Sequence, residues 1–164
     1  MQILFYVAVA FLIFCLPAYS QSSGSKAGEE GVAAALKMQS DAWNRGDLDA
    51  FMTGYLHSPD TSYASGGTEV WGYEALRARY QKKYGTSRES MGTLSFSDLK
   101  TIMLGKQHAL CIGHFHLERK DEKPIDGIFS LVLVSTKDGW KIMHDHSSIS
   151  PEKLKPNAAP ESRQ

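Results

Sequence analysis

Two His-x-His pairs stand in the second half of the chain, His114-Phe115-His116 and His144-Asp145-His146, and Ser147 and Ser148 follow the second. Imidazole changes charge near neutral pH, and burial raises a carboxylate toward the same range, so the two groups together suit general acid–base work. Proton abstraction beside a carbonyl fits them best, with Asp145 as base and His114 or His116 as acid. The plain alternative for Asp145 is an ion pair with a Lys or Arg, or contact with solvent at the sheet face. Alternate strand residues project to one side and imidazole suits zinc, copper or iron, so the pairs also raise a metal reading. Two ligands on a side leave such a site short unless Asp145 or another group completes it, so no metal is assigned and a histidine-lined dimer seam is the competing use. The sequence has no Gly-rich phosphate loop, Cys-x-x-Cys pair or nucleophile elbow, which disfavours covalent catalysis, and no cofactor is expected.

These residues must be positioned by what precedes them. Val32, Leu36, Gln39 and Trp43 recur at helical spacing and stop at Asn44-Arg45-Gly46. Asp47 can cap a second helix with the stripe Leu48, Phe51, Met52 and Tyr55, ended by Ser58-Pro59-Asp60. Asp60 reads as a turn aspartate. Thr61 to Ala64 and Thr68 to Trp71 flank Ser65-Gly66-Gly67 as two short strands, and a third helix carries Tyr73, Leu76 and Tyr80 to a stop at Gly85. Everything later reads as strand: Leu94 to Leu104, His108 to Glu118, Ile125 to Ser135 and Trp140 to Ser148. The expected fold class is α+β, three N-terminal helices packed on a strongly curved, mainly antiparallel sheet of about six strands.

Strand parity decides which side chains reach the hollow. A three-residue loop at Lys137-Asp138-Gly139 pairs Thr136 with Trp140, and so sets Phe129 opposite Ser147 and Leu131 opposite Asp145. A tight turn at Asp121-Glu122 sets Phe129 beside His114 and Gly127 beside His116. His114, His116, Phe129, Leu131, Asp145 and Ser147 then share one face, and His144, His146, Ser130, Val132, Cys111 and Phe115 the other. A slip of one residue in either hairpin exchanges the partners. Trp43, Tyr55, Tyr63, Trp71 and Tyr80 can line an aromatic pocket for a flat apolar ligand, or simply pack as core.

The ends bound the rest. The apolar run Ile3 to Leu16 is short of the roughly 20 residues that a spanning helix needs, and Pro17 with Ala18-Tyr19-Ser20 completes a signal-peptide pattern over residues 1–20. Export, periplasmic or secreted, is the expectation, with no membrane association after cleavage. Residues 21–28 read as a disordered lead-in, 29–150 as the domain and 151–164, with three prolines, as a disordered tail. Lys plus Arg and Asp plus Glu are both 18, so no electrostatic footprint points to nucleic acid. Cys111 is the one cysteine after the leader, and no internal disulfide can form.

The order of elements resembles the nuclear transport factor two-like superfamily, in particular its SnoaL-like and ketosteroid-isomerase-like branch. The residues that carry this are Asn44-Arg45-Gly46-Asp47-Leu48-Asp49-Ala50-Phe51, Trp71-Gly72-Tyr73-Glu74-Ala75-Leu76 and Asp138 to Ser148. Cys111 to His116 and the final Trp-x-Ile-x-His-x-His-x-Ser also resemble the association domain of calcium/calmodulin-dependent protein kinases. In that relative pocket arginines fall at the positions of His116 and Ser147. The resemblance implies a cone with a pocket between sheet and helices, commonly dimeric through its sheets, and no single chemistry. The leading expectation is a small-molecule-binding domain with acid–base isomerase-like or dehydratase-like activity on a small apolar or carbonyl compound. Asp145, His116 and His114 would act, and Tyr55, Tyr63, Trp71, Tyr80, Phe129, Leu131 and Ser147 would bind. The alternatives are a non-catalytic dimeric binding or assembly module and a His-based metal-binding protein.

Overall fold

The computed structural model describes residues 23–150 and has the cone architecture, with four helices rather than three. The elements run α1 (Ser23–Asn44), α2 (Leu48–Met52), β1 (Ser62–Ser65), β2 (Thr68–Trp71), α3 (Tyr73–Tyr84), a short α4 (Arg88–Met91), then β3 (Thr93–Met103), β4 (His108–Glu118), β5 (Ile125–Thr136) and β6 (Gly139–Ile149). One six-stranded sheet has the order β2-β1-β6-β5-β4-β3, antiparallel except for the β1–β6 pair. The expected leader (1–20) and tail (151–164) lie outside the described residues.

The expected lead-in is corrected, because residues 23–28 form the first turns of α1. Glycine disfavours a helix interior, but here it permits close approach. A Cβ on Gly28 would stand 2.7 Å from the Met103 sulfur and one on Gly31 2.7 Å from the Trp140 indole nitrogen. The helix therefore lies against the far ends of β3 and β6. Its apolar stripe Val32, Leu36, Ala42 and Trp43 is buried. Gly46, at φ +76, ends it with paired bonds from Gly46 N to Trp43 O and from Asp47 N to Ala42 O. Asp47 turns at once to cap α2, accepting from Ala50 N at 2.9 Å.

α2 stops at Met52, earlier than the stripe to Tyr55 suggests. Tyr55 instead makes a parallel bridge with Ile142, and Leu56 N donates to Ile142 O at 2.8 Å. That bridge carries the Tyr55 ring from a helix face to the mid-sheet.

Two register findings govern the site. The β5–β6 turn is shorter than expected, with Thr136 paired to Gly139, but a bulge between the pairs Leu133–Ile142 and Val132–His144 adds one residue back. Phe129 therefore does face Ser147, and Leu131 faces Asp145. The β4–β5 hairpin runs one residue out from expectation. Phe129 pairs with Gly113, and His116 with Asp126. Its loop centres on Asp121, a non-glycine residue at φ +61, rather than between Asp121 and Glu122. The concave face consequently holds Cys111, Gly113, Phe115 and Leu117, and His114 and His116 turn to the convex face beside His144 and His146.

Candidate functional site

The concave side of β6 and β5 meets α1, Tyr55 and α3 around a cavity of about 90 Å3. Nine of its sixteen lining residues are aromatic, and among them Asp145 alone is charged. The rings come from every layer. α1 supplies Trp43, α2 Phe51, the following loop Tyr55, β1 Tyr63, α3 Tyr80 and Tyr84 at i and i+4, and the sheet Phe96, Phe115 and Phe129. They pack edge to face, Trp43 against Phe51 and Tyr84 at 4.9 Å and Phe51 against Tyr80 at 5.1 Å. Gly113 and Gly127 make this possible. A Cβ at Gly113 would stand 2.7 Å from the Phe129 ring and one at Gly127 2.4 Å from the Phe115 ring.

Asp145 sits at the polar end, 5 % exposed. Tyr55 Oη donates to its Oδ2 at 2.8 Å and Ser147 Oγ to its Oδ1 at 2.7 Å, while the Tyr55 and Tyr80 hydroxyls are 3.0 Å apart. Among the described residues no ion pair includes Asp145; its partners are hydroxyls. Burial pushes its carboxyl above the usual carboxylate range, and the two hydroxyl bonds and the flanking His144 and His146 oppose that rise. Burial and the Asp145 charge hold the Tyr55 and Tyr80 hydroxyls well above the ordinary tyrosine value, so both remain protonated donors. The arrangement is a line of oxygens, Tyr80–Tyr55–Asp145–Ser147, along one wall of an apolar hollow.

The expected site residues divide accordingly. Asp145, Tyr55, Tyr63, Tyr80, Phe129, Leu131 and Ser147 come together around the cavity. Three do not. His116 lies on the convex face with its Nδ1 2.7 Å from Asp126 Oδ1 and its Nε2 3.3 Å from Glu118 Oε1, contacts that raise its pKa. His114 is exposed on the same face. The pocket position that the association-domain resemblance implied for His116 is therefore not realised, while that for Ser147 is. Trp71 is 60 % exposed on β2, because its partner in β1 is the outward Ser62 and the inward neighbour is Tyr63. Residues that sequence reasoning missed include Phe51 and Tyr84, both legible as continuations of the helical stripes of Leu48 and Tyr80, and Phe115, hidden by the register slip. The two His pairs do share a face, but β5 separates them. Among the described residues no three His, Cys, Asp or Glu side chains are placed to hold a metal. Cys111 is buried and its thiol is raised by burial.

A family model described as a SnoaL-like domain matches residues 32–152. The chain belongs to the SnoaL-like domain family. A crystal structure of an NTF2-like protein of unknown function from Shewanella oneidensis MR-1 is similar at 36 % identity over 73 % of this chain and 97 % of its own, with a TM-score of 0.68. A ketosteroid isomerase-like protein from Erwinia carotovora atroseptica shares the fold of this SnoaL-like domain at 18 % identity, 74 % and 96 % coverage and a TM-score of 0.60. So does a putative dehydratase of the NTF2-like family from Streptomyces avermitilis, at 18 % identity, 78 % and 99 % coverage and a TM-score of 0.60. No curated protein matches the sequence.

Proposed function

We propose that this SnoaL-like domain binds a small, largely apolar or carbonyl compound in its aromatic cavity and that Asp145 moves a proton on it, in an isomerase-like or dehydratase-like reaction. The observation that carries this reading is the state of Asp145: buried, facing the hollow, and held by two hydroxyls instead of a cation. A carboxylate with a raised pKa is the better base near neutral pH. His114 and His116 are too far round the sheet to serve as acid, so the proton donor falls to Tyr80, which at rest donates to Tyr55, since the one Tyr55 hydroxyl hydrogen is given to Asp145, and would turn that hydrogen to the substrate. The isomerase-like and dehydratase names of two structural relatives support the reaction class by analogy of fold alone.

The test is deuterium exchange at carbon next to a carbonyl, followed by NMR over a panel of small ketones and aldehydes. Asp145→Asn is expected to lower exchange by about 100-fold or more while the circular dichroism stays unchanged. Equal exchange in wild type and variant removes Asp145 from the mechanism.

The binding-module reading is favoured by one observation, the size of the hollow. Its 90 Å3 is well below the roughly 300 Å3 at which ligand pockets usually begin. We also propose that the chain is exported, on the apolar run Ile3 to Leu16, and that it dimerises through the convex sheet face, where Ile112 and Ile128 are exposed.

A further inference from the structure

The geometry points to a small organic cation, a protonated amine, as the occupant of the cavity, with its N–H directed at Asp145 and its carbon skeleton against the rings of Phe51, Tyr63, Tyr80 and Phe129. This rests on the reading that the hollow takes a small molecule at Asp145, and it narrows that molecule to one whose apolar or carbonyl-bearing skeleton also carries a protonated amine.

Charge is the first ground. When ionised, a buried carboxylate held only by hydroxyls carries a negative charge that no cationic side chain contacts among the described residues, His144 and His146 acting on it only from the other face, and buried charges are ordinarily paired. The cations stacked on the cavity's tyrosines, Lys83 over Tyr84 at 5.0 Å among them, do not line the hollow. Arg79 lies over the Tyr63 ring at 5.0 Å and Arg119 over the Tyr84 ring at 5.4 Å, yet neither residue lines the hollow. The position opposite Asp145 is thus surrounded by carbon and π-systems.

The walls supply the second ground. An aromatic ring presents a negative face, and a desolvated cation gains from it what a ketone of the same shape does not. The third is the inventory of hydrogens at Asp145. The Tyr55 and Ser147 protons already point at the carboxylate, so a ligand placed there meets oxygen lone pairs and must bring its own donor. An ammonium brings both the charge and the hydrogens. The titratable groups around Asp145 add no competing positive charge on the concave side. α3 and the loop after α2 present Tyr80 and Tyr55, β1 presents Tyr63, α1 presents the amide of Gln39, and β5 presents Leu131. His144 and His146 flank it on β6 but face away. The hollow, at about 90 Å3, is smaller than the roughly 150 Å3 that holds the six carbons of benzene, which limits the occupant to about five heavy atoms.

The decisive comparison uses three molecules of one skeleton, sec-butylamine, butan-2-ol and butan-2-one, each titrated into the purified wild-type chain near neutral pH and read by protein NMR shifts at Tyr55, Tyr80 and Ser147. The amine is expected to bind about tenfold tighter than the alcohol and the ketone weakest. In Asp145→Asn the amine should fall to the affinity of the alcohol, whose own binding should change little. If the ketone binds as tightly as the amine, the cation assignment is overturned while proton transfer at Asp145 is untouched. Loss of exchange activity alone in Asp145→Asn speaks to the latter only. If none of the three shifts the cavity resonances up to its solubility limit, the assignment is likewise overturned. Asp145→Ser, a smaller neutral side chain, repeats the comparison should the Asn variant lose its fold.

Discussion

The Tyr55 hydroxyl donates to Asp145 Oδ2 at 2.8 Å across ninety positions of sequence, joining the loop after α2 to the middle of the last strand. Both groups are buried, so the bond works in a low dielectric and stabilises the ionised carboxylate against the desolvation that opposes it. Tyr55→Phe removes that donor and keeps the ring. The Asp145 carboxyl should titrate higher still in the variant, as followed by carboxyl-carbon NMR, and urea unfolding should show a loss of about 1–3 kcal/mol. An unchanged titration would mean that the hydroxyl does not set the charge state of Asp145.

Asp145 makes stability pH-dependent in a stated direction. Its folded pKa is raised above the ordinary 3.8, so the folded state holds the proton more tightly than the unfolded chain. The favourable contribution is complete below that value and is lost as pH climbs through the raised one. Relative to Asp145→Asn, the wild type should therefore lose stability as pH rises above about 4, measured by urea unfolding of both proteins at matched pH. A difference that moved the other way would show hydroxyl bonding outweighing burial.

His116 behaves oppositely in location though not in sign. Its bonds to Asp126 and Glu118 raise its pKa above 6.5, and any stability it contributes is present below that value and fades as pH passes the raised one. Asp126→Asn should bring the His116 titration down, seen in the imidazole proton shifts, without altering deuterium exchange or ligand shifts in the cavity.

Gly127 faces inward, where a Cβ would lie 2.4 Å from both the Phe115 ring and the Ser148 carbonyl oxygen. The ring can shift and the backbone cannot do so freely. Gly127→Ala should destabilise by about 1–3 kcal/mol and push Phe115 into the cavity, weakening amine binding. Wild-type stability in that variant would contradict the close packing.

On the convex face the cross-strand row Trp71, Ser62, His144, Val132, Leu110 and Ile102 spans all six strands. Ile128, half exposed on the same face four positions along β5 from Val132, is a position where a charge should break sheet-to-sheet association. Wild type is expected to sediment as a dimer and Ile128→Lys as a monomer. The same mass for both would place any interface elsewhere.

Much of this was legible in the residues. Helical spacing gave α1 and α3, the strand runs gave β3 to β6 within a residue or two, and family-like motifs gave the cone. The polar end of the cavity was legible too, because Asp145, Leu131, Phe129 and Ser147 depend on one hairpin. That success had a compensation in it: the turn at Lys137-Asp138 is a residue tighter than expected and the bulge opposite Val132 and Leu133 is a residue longer. The β4–β5 hairpin had no such second irregularity, so the left-handed Asp121 moved both His114 and His116 to the outer face. Loop backbone angles of this kind leave little trace in composition. Trp71 was misplaced for a related reason, since a four-residue strand gives too few alternations to fix its parity.

The bulge in β6 has a further consequence. Ile142 and Asp145 both point inward although three positions separate them, where simple alternation would send one of them out. On a regular ladder with Met143 paired instead of bulged, His144 and His146 would face the hollow and Asp145 would be expelled, whereas a chain lacking Met143 would keep Ile142 and Asp145 inward. Two chemistries, an acidic chamber and an imidazole-lined one, are thus separated in this scaffold by whether one residue of the last strand is paired or bulged.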